Sequence, residues 1–185
     1  MDINEKALFY RAQAGDRGAA GTLFECYYQE IYTYIFYRLS DRVTAEILTS
    51  IVFIRMLRRL PTYLDQGKSF LSFLYTISKQ VVIDYYRTQD RSDQLSLKDR
   101  LLGSNQHQPD GPVQSRDSLD SFQRAMRHLD EQQKNVIILR LVEGRSIQDI
   151  SELINKSEKA VRSLQGRALR SLEKMFSRKS AYEQI

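Results

Sequence analysis

The sequence predicts an all-α fold of two small helical domains joined by a flexible linker, the C-terminal domain being a helix-turn-helix. Three observations predict it. Apolar residues recur at the spacing of amphipathic helices before residue 88 and again after residue 129. The polar residues 88–118 contain two of the three prolines and have no sustained period, which is typical of a linker. Residues 146–171 have the pattern of a helix, a tight turn and a basic second helix.

Four helices are predicted in the N-terminal part. The first covers residues 7–14, and the second carries apolar and aromatic residues over 23–39. The third begins after the capping residue Asp41 and ends at Pro61. The fourth covers residues 69–87. Although this segment is rich in β-branched residues, its apolar positions keep helical spacing over a length that exceeds a usual strand.

The C-terminal part begins with a weaker helical pattern over residues 119–128. Asp130 and Gln133 then have the spacing of a capping box and open the next helix. Gly144 suits the left-handed residue that ends such a helix. The helix-turn-helix follows directly.

The helix-turn-helix prediction depends on its caps, its turn and its charge. Ser146 and Asp149 form a second capping box, and Asn155 tolerates the left-handed conformation of a tight turn. Ser157 can cap the second helix. Residues 156–179 carry eight Lys or Arg and two Glu, a local net charge of +6 against +5 for the whole chain. The positive charge therefore lies on the helix that would contact a DNA backbone. The alternative interpretation of this segment is a solvated amphipathic helix in a helical bundle.

Composition limits the classes of protein that fit. The only cysteine, Cys26, excludes an intramolecular disulfide, and its aromatic helical surroundings predict a buried, inert thiol. No stretch approaches the roughly 20 apolar residues of a membrane span, so no membrane insertion is expected and the setting is expected to be cytoplasmic. His107 and His128 lack metal-ligand spacing, and no phosphate-binding loop is present. We expect no enzyme, no catalytic residue, no metal and no cofactor.

Several segments together resemble one protein family. Residues 129–140, 143–146 and 160–163, with Arg167 and Ala168, resemble the fourth domain of sigma-70-family transcription initiation factors. The N-terminal half is similar to the second domain of the same family. The residues that carry this second match are Asp16, Leu23, Phe24, Ala45, Glu46, Leu48, Thr49, Phe53, Ile54, Arg55, Phe70, Phe73, Leu74, Tyr75, Thr76, Ile77, Ile83, Asp84 and Arg87. Two such domains with none between them resemble the compact extracytoplasmic-function (ECF) group.

The resemblance implies a function and a division of the chain. Such a protein binds core RNA polymerase, places it on promoter DNA, helps to open the duplex, and is usually restrained by an anti-sigma factor. Residues 1–90 would bind core polymerase and the −10 element, 91–118 would form the flexible linker, and 119–179 would read the −35 element. The expected location is the bacterial cytoplasm, associated with the nucleoid.

The resemblance also implies DNA-binding residues in the fourth helix and the loop before it. Melting needs an extruded strand that is held by basic and aromatic side chains, and Phe73 and Tyr75 lie beside the basic positions. The residues implied for the −10 element are Lys68, Ser69, Thr76, Lys79, Gln80, Ile83, Asp84 and Arg87.

The second helix of the helix-turn-helix would read the −35 element. Arginine suits the O6 and N7 atoms of guanine, so Arg162 and Arg167 are the candidates for base readout. Lys156 and Lys159 are expected to contact phosphates, which position the protein without specifying sequence. The implied set is Arg140, Lys156, Lys159, Arg162, Ser163, Gly166 and Arg167.

One departure from the family concerns polymerase binding. After Ala45-Glu46 the family usually presents acidic and amide side chains to the polymerase, whereas this chain has apolar residues. The positions that would dock are Ile47, Ser50, Ile51 and Ile54. Together with Val43 they form an apolar stripe, which is either buried or meets an unusual partner surface.

Two alternatives follow from these observations. A helix-turn-helix regulator of another class would need an N-terminal sensor, usually of alternating strands and helices, and no such alternation is present. A sigma-like decoy that no longer drives initiation is favoured only by the changed residues at 47, 50 and 51.

Overall fold

The structure, a computed structural model, describes the backbone of residues 5–39, 41–64, 69–99, 121–122 and 124–182. Side chains are described over the same ranges except for residues 90–99 and 176–182. All regular structure in the described residues is helical, which confirms the all-α prediction. No described helix is long and apolar enough to cross a lipid bilayer.

The helices follow the predicted order. They are α1 (Glu5–Gln13), α2 (Arg17–Leu39), α3 (Arg42–Arg59), a 3₁₀ turn (Leu60–Thr62), α4 (Phe70–Asp99), α5 (Glu131–Ile137) running into a π-helical turn (Ile138–Val142), α6 (Ile147–Ile154) and α7 (Glu158–Tyr182). Before α5, the described residues 121–122 and 124–126 are also helical.

Local chemistry sets the helix boundaries. The Asp41 side chain accepts a hydrogen bond from the Thr44 amide and caps α3. Capping boxes open α5 at Asp130 and α6 at Ser146, as the sequence predicted. Asn155 ends α6 in the left-handed conformation with φ 54°.

Helices α1 to α4 form one four-helix unit. Helix α2 packs on α1, α3 and α4, and α3 packs on α4. Its centre is aliphatic, with Leu23, Ile35, Val52, Leu74 and Ile77 fully or almost fully buried. Each such side chain contributes about 1.5–3 kcal/mol to folding by leaving water.

The C-terminal unit is smaller and packs α5 and α6 against α7, with the π-helical turn against α5 and α6. Val136, Ile150, Val161, Leu164 and Ala168 are buried at its centre. The apolar face of α7 is therefore directed inward, as its sequence period predicted, and its basic face is directed outward.

Two expectations are corrected. Helix α4 does not end near Arg87 but continues to Asp99, so the backbone at the start of the predicted linker (91–118) is helical. The remainder of that linker, residues 100–118, lies outside the described residues. The prediction of a buried thiol is wrong, because Cys26 is exposed on α2. The core of α2 is filled by residues at other positions of its helical period.

Candidate nucleic-acid interface

The outer face of α7 is an exposed basic surface. Arg162, Ser163 and Arg167 are exposed, whereas Val161 and Leu164 beside them are buried. The inner face of the helix packs on the core of the C-terminal unit, so its outer side chains point to solvent, as those of a helix that enters a DNA groove do. One of these outer side chains has a partner within α7, because Arg162 forms an ion pair of 3.1 Å with Glu158.

The turn before α7 places two further cations. Lys156 follows the left-handed Asn155, and its amide bonds to the Ser151 carbonyl oxygen at 2.9 Å. Lys159 is exposed in the first turn of α7, and Ser157 caps that turn through a bond of 3.3 Å from the Ala160 amide. This arrangement presents the cations at a helix N-terminus, where phosphate binding is favoured.

Arg140 has a structural contact of its own. Its guanidinium donates to the carbonyl oxygen of Arg145 at 2.7 Å and is partly buried. It therefore braces the turn around Gly144, which has φ +68°. Gly166 has open space around its α-carbon, so a backbone could approach there closely.

The predicted −10 residues of α4 lie along one exposed edge. Thr76, Lys79, Gln80, Asp84 and Arg87 are exposed, and Ile83 is half-buried. Ser69 stands just before α4 and its hydroxyl accepts a bond from the Ser72 amide at 3.3 Å. Lys68 lies outside the described residues.

Helix α3 braces this edge with two arginines one turn apart. Arg59 donates to Oε1 of Gln80 at 2.7 Å, and Arg55 bonds to Oδ2 of Asp84 at 2.6 Å. Since a guanidinium only donates, the oxygen of the Gln80 amide must face Arg59, and its NH₂ group is presented as a donor.

The aromatic residues beside this edge are packed inward. Phe70, Phe73 and Tyr75 are all buried. Phe73 packs against Tyr63 in a tilted pair with a centroid distance of 4.3 Å, and Tyr75 packs edge-on against Tyr34 at 4.9 Å. Phe73 and Tyr75 are thus largely covered by protein, although both line the cavity described below.

The apolar stripe on α3 is exposed. Val43, Ile47, Ile54 and Leu57 are 59%, 53%, 48% and 49% exposed, and Ile51 is half-buried. The alternative in which the stripe is buried is therefore wrong for Val43, Ile47 and Ile54, and Leu57 adds one more exposed apolar position to the same face. The exposed positions together with Ser50 are spaced 4-3-4-3, the spacing of a coiled-coil seam.

A polar face of α2 contacts the C-terminal unit. Glu30, Tyr34 and Arg38 are each one turn apart on this helix. Arg38, whose side chain is 1% exposed, forms an ion pair with Glu131 and donates to Asn135. Its guanidinium also lies 4.6 Å from the centre of the Tyr34 ring.

The other two residues of this face complete the contact. The Tyr34 hydroxyl donates to the side-chain oxygen of Asn135. Glu30 forms an ion pair of 2.7 Å with Arg145. We call Glu30, Tyr34 and Arg38 the α2 polar face.

Helix α4 makes a parallel set of contacts. The Ser72 hydroxyl donates to the carbonyl oxygen of Leu153 at 3.1 Å, and the Tyr75 hydroxyl donates to the Glu143 carboxylate. Burial, with a smaller contribution from the nearby Glu30 carboxylate, raises the pKa of Glu143 to about 7, although Tyr75 and Arg145 oppose the shift. Burial and the Glu143 charge both raise the pKa of Tyr75, so this phenol stays protonated.

A cavity of about 470 Å³ lies where α4 meets α6. Thr76 and Lys79 of the −10 set and Lys156 of the −35 set all line it. Three members of the two predicted sets are thus close together, although they lie about 80 residues apart in sequence, whereas Arg162 and Arg167 do not line this cavity.

Sequence reasoning missed the residues that join the two units. Glu131 and Asn135 lie in the polar first part of α5, and Glu30, Tyr34 and Arg38 recur at 4-residue spacing along α2. Neither pattern differs from that of a solvated helix face, so the sequence carries no specific signal for this contact. No cluster of three or more metal-ligating side chains occurs among the residues described.

Comparison with known families identifies the chain. The family model for sigma-70 region 2 matches residues 23–92, and that for sigma-70 region 4 matches residues 119–172. The chain belongs to the sigma-70 family. The region 2 match lies in the unit that contains α2 to α4, and the region 4 match lies in the unit that contains α5 to α7.

The chain is similar to curated sigma factors of the ECF group. It is 34% identical over 170 residues to the ECF RNA polymerase sigma factor BldN of Streptomyces coelicolor, covering 91% of this chain and 64% of BldN. It is 29% identical over 162 residues to the ECF RNA polymerase sigma factor SigX of Bacillus subtilis, covering 82% of this chain and 80% of SigX. The chain thus spans less than two thirds of the length of BldN.

Solved structures show the same fold. CnrH, solved in complex with the cytosolic domain of CnrY, superposes with a TM-score of 0.68 at 18% identity, over 94% of this chain and 97% of CnrH. RpoE, solved in complex with the anti-sigma factor NepR from Bartonella quintana, gives 0.61 at 19% identity, over 85% and 96% of the two chains.

Proposed function

We propose that this sigma-70 member binds core RNA polymerase, directs it to promoters and starts transcription there. The observation that carries the proposal is the presence of regions 2 and 4 in one chain, together with a basic recognition helix whose outer face is exposed. The protein acts as a binding subunit and not as an enzyme, in the bacterial cytoplasm and at the nucleoid.

The division of labour follows the two units. Residues 1–90 bind polymerase and the −10 element, residues 91–118 connect the units, and residues 119–179 read the −35 element. Exposure of Arg162 and Arg167 on α7 supports base readout, while Lys156 and Lys159 at the helix N-terminus suit phosphates.

On α4, the exposed edge that includes Lys79 and Gln80 is our proposed −10 surface. Asp84 repels phosphate and is engaged by Arg55, so within this surface it acts by holding α3 against α4.

The α3 stripe is the proposed polymerase-docking surface. Where the family usually has polar residues, this stripe has the exposed Ile47 and Ile54. Ser50 and the half-buried Ile51 lie beside them. An apolar seam at this spacing suits a helix of the partner, because knobs of one helix pack into the holes of another. We also propose restraint by an anti-sigma factor, the kind of protein with which RpoE was solved.

The test is capture of core RNA polymerase by the purified chain, followed by run-off transcription from a library of bacterial promoter fragments. Binding with discrete start sites supports initiation. Binding without transcripts supports the sigma-like decoy, which the unusual α3 stripe favours. DNA binding without polymerase capture supports a regulator of another class. A matched control is Arg162→Ala/Arg167→Ala, which should keep polymerase capture and lose discrete starts.

A further inference from the structure

We propose that helix α1 positions the −10 surface by holding Tyr63 and Phe70, the residues on either side of the connection between the 3₁₀ turn and α4. This inference rests on the proposed function, because it gives α1 a task in −10 recognition. Three residues of α1 carry it. They are Glu5, Phe9 and Gln13, which recur every four residues and therefore share one face of the helix. We call them the α1 clamp.

Gln13 fixes the point at which the chain leaves the 3₁₀ turn. Its side-chain NH₂ group donates to the carbonyl oxygens of Leu60 and Tyr63, at 3.0 and 2.7 Å. The Tyr63 amide also donates to the Leu60 carbonyl oxygen, at 3.2 Å. Because both acceptors of Gln13 are carbonyls, position 13 must supply two N–H donors to bind them together. The backbone of Tyr63 is extended, so Gln13 sets the direction in which the chain continues.

Glu5 fixes the point at which α4 begins. Its Oε1 atom accepts a hydrogen bond of 2.9 Å from the amide of Phe70, the first residue of α4. The first amides of a helix have no acceptor within the helix, and the helix dipole favours a carboxylate at this end. The Tyr27 hydroxyl of α2 donates to Glu5 as well, and burial together with this bond raises the pKa of Tyr27. The Glu5 carboxylate is therefore held by two elements.

Phe9 fills the space between these two polar anchors. It is buried, and its ring centre lies 5.7 Å from that of Tyr63 and 5.8 Å from that of Phe70, edge-on in both pairs. From Glu5 to Gln13 the helix rises by about 12 Å, at about 1.5 Å per residue. A single helix of fixed rise thus sets the spacing between Tyr63 and Phe70.

The clamped residues border the −10 surface. The Tyr63 ring packs against Phe73 of α4, with 4.3 Å between the ring centres. Tyr63 also lines the same cavity as Thr76 and Lys79, and Ser69 of the predicted −10 set directly precedes α4. Side chains of a binding site must be held to within about 0.5 Å of their productive positions. The α1 clamp supplies this restraint, although none of its residues belongs to the predicted DNA-binding sets.

The experiment compares sequence preferences at the two promoter elements. Transcripts made with core polymerase are sequenced from two promoter libraries, one randomised at the −10 element and the other at the −35 element. The proteins are the unchanged chain, Gln13→Glu, Glu5→Leu, Glu5→Gln and Val52→Ala, and the thermal unfolding of each is recorded.

Each variant isolates one property. Gln13→Glu keeps the shape of the side chain and replaces its donors by an acceptor, whereas Glu5→Gln keeps an oxygen for the Phe70 amide. Val52→Ala removes core volume at a residue of α3 that is fully buried, so it lowers stability without changing the clamp. Gln13→Ala, which removes the donors without adding a charge, takes the place of Gln13→Glu if that variant does not fold.

We expect Gln13→Glu and Glu5→Leu to lower the discrimination among −10 sequences by about tenfold, the scale of one base contact, with −35 discrimination unchanged. Glu5→Gln should retain most of the −10 discrimination. Val52→Ala should unfold at a lower temperature and keep both preferences. An unchanged −10 preference in Gln13→Glu and Glu5→Leu overturns the inference. An equal loss in Val52→Ala also overturns it, because the effect would then follow stability alone.

Amide hydrogen exchange of the free protein, measured by NMR, tests the clamp apart from transcription. Glu5→Leu should lose protection at the Phe70 amide, and Gln13→Glu should lose it at the Tyr63 amide. Absence of transcription by the unchanged chain, with these losses of protection, would contradict the proposed function and leave the clamp established. Unchanged protection of both amides in these variants overturns the clamp whatever the transcription result.

Discussion

The two faces of the N-terminal unit reverse the usual relation between polarity and burial. The α2 polar face is covered, and Arg38 within it is 1% exposed on its side chain. The α3 stripe is apolar, and Ile47 and Val43 within it are more than half exposed. A covered polar face suits a contact that opens, whereas an exposed apolar face suits a partner that has yet to bind.

The largest effect is expected from a change in the exposed face. Ile47→Glu/Ile54→Glu places two charges in the seam that would be desolvated on docking. We expect core polymerase affinity to fall by about 100-fold or more, since the centre of an interface carries about 2–4 kcal/mol per anchor residue. Binding to immobilised core polymerase measures it. Leu141→Glu, at a similarly exposed leucine of the π-helical turn, is the control. Equal affinities for the double variant and the unchanged protein would remove α3 from the docking surface.

The recognition helix should give the next effect. Arg162→Ala and Arg167→Ala are each expected to weaken binding to the preferred −35 duplex by about 1–3 kcal/mol and to relax its sequence preference. Titration against the preferred duplex and a scrambled one separates the two effects, with Arg11→Ala as the control. The same loss on both duplexes would show that these arginines contact only phosphates.

Opening of the duplex should depend on Lys79. Its ammonium is exposed on the −10 surface, and its loss removes one charge-assisted contact to the displaced strand. We expect Lys79→Ala to reduce permanganate reactivity of promoter thymines by about fivefold, while duplex binding changes less, because the contact forms on the melted strand. Undiminished reactivity would contradict a role for Lys79 in melting.

The contact between the two units, to which Tyr75 and Glu143 contribute, should depend on pH through Glu143. We call the protein closed when the units are in contact and open when they are apart. Burial in the closed form raises its pKa to about 7 from the ordinary 4.5, so the closed form binds a proton that the open form releases. Closure is therefore favoured as pH falls from about 7 toward 5 and changes little above 7. Glu131 does not oppose this trend in that range. Although burial raises its pKa, Arg38 and Lys134 hold it below the ordinary value.

Fluorescence energy transfer between a dye on the exposed Cys26 and a second dye on a cysteine introduced by Arg170→Cys, on the exposed face of α7, measures this dependence at pH 5.5 and pH 8. Glu143→Gln keeps an acceptor for the Tyr75 hydroxyl without a charge, so it should be equally closed at both pH values. A distance distribution that shifts with pH as strongly in Glu143→Gln as in the unchanged protein would assign the dependence to another group.

The smallest effect concerns Arg59. Its guanidinium donates a hydrogen bond to the side-chain oxygen of Gln80, so this oxygen faces Arg59. The amide NH₂ group of Gln80 is then left to donate to a base. We expect Arg59→Ala to change the preference among −10 sequences by about threefold, since one neutral hydrogen bond contributes about 1 kcal/mol. Gln80→Glu, which replaces the donor by an acceptor, should change the same preference further. Identical preferences in all three proteins would exclude Gln80 from base readout.

Much of the fold follows from short-range rules. The caps at Asp41, Asp130 and Ser146 and the left-handed Asn155 were predictable, because each depends on residues within one helical turn. The exposed basic face of α7 followed from its period in the same way. The continuation of α4 beyond Arg87 could not be predicted in this way, because residues 88–99 have no apolar stripe of helical period.

The contact between the units could not be derived from the sequence. Tyr34 and Asn135 are 101 residues apart, and neither residue type specifies a partner at that separation. Polar residues on a helix are also usually solvated. Tyr75 illustrates the consequence: its place on the −10 helix was predictable, whereas its cover by Glu143 was not.

The most direct test of the account locates the two units on one promoter. Iron–EDTA is attached to Cys26 in one protein and, in a second protein carrying Cys26→Ser, to a cysteine introduced by Arg170→Cys. Each is assembled with core polymerase on the same end-labelled promoter, and the positions of hydroxyl-radical cleavage are mapped. The expected cleavage centres lie about 25 base pairs apart, the separation of the −10 and −35 elements, with that of α7 upstream. Overlapping cleavage from both positions in a complex that starts transcription would contradict the account.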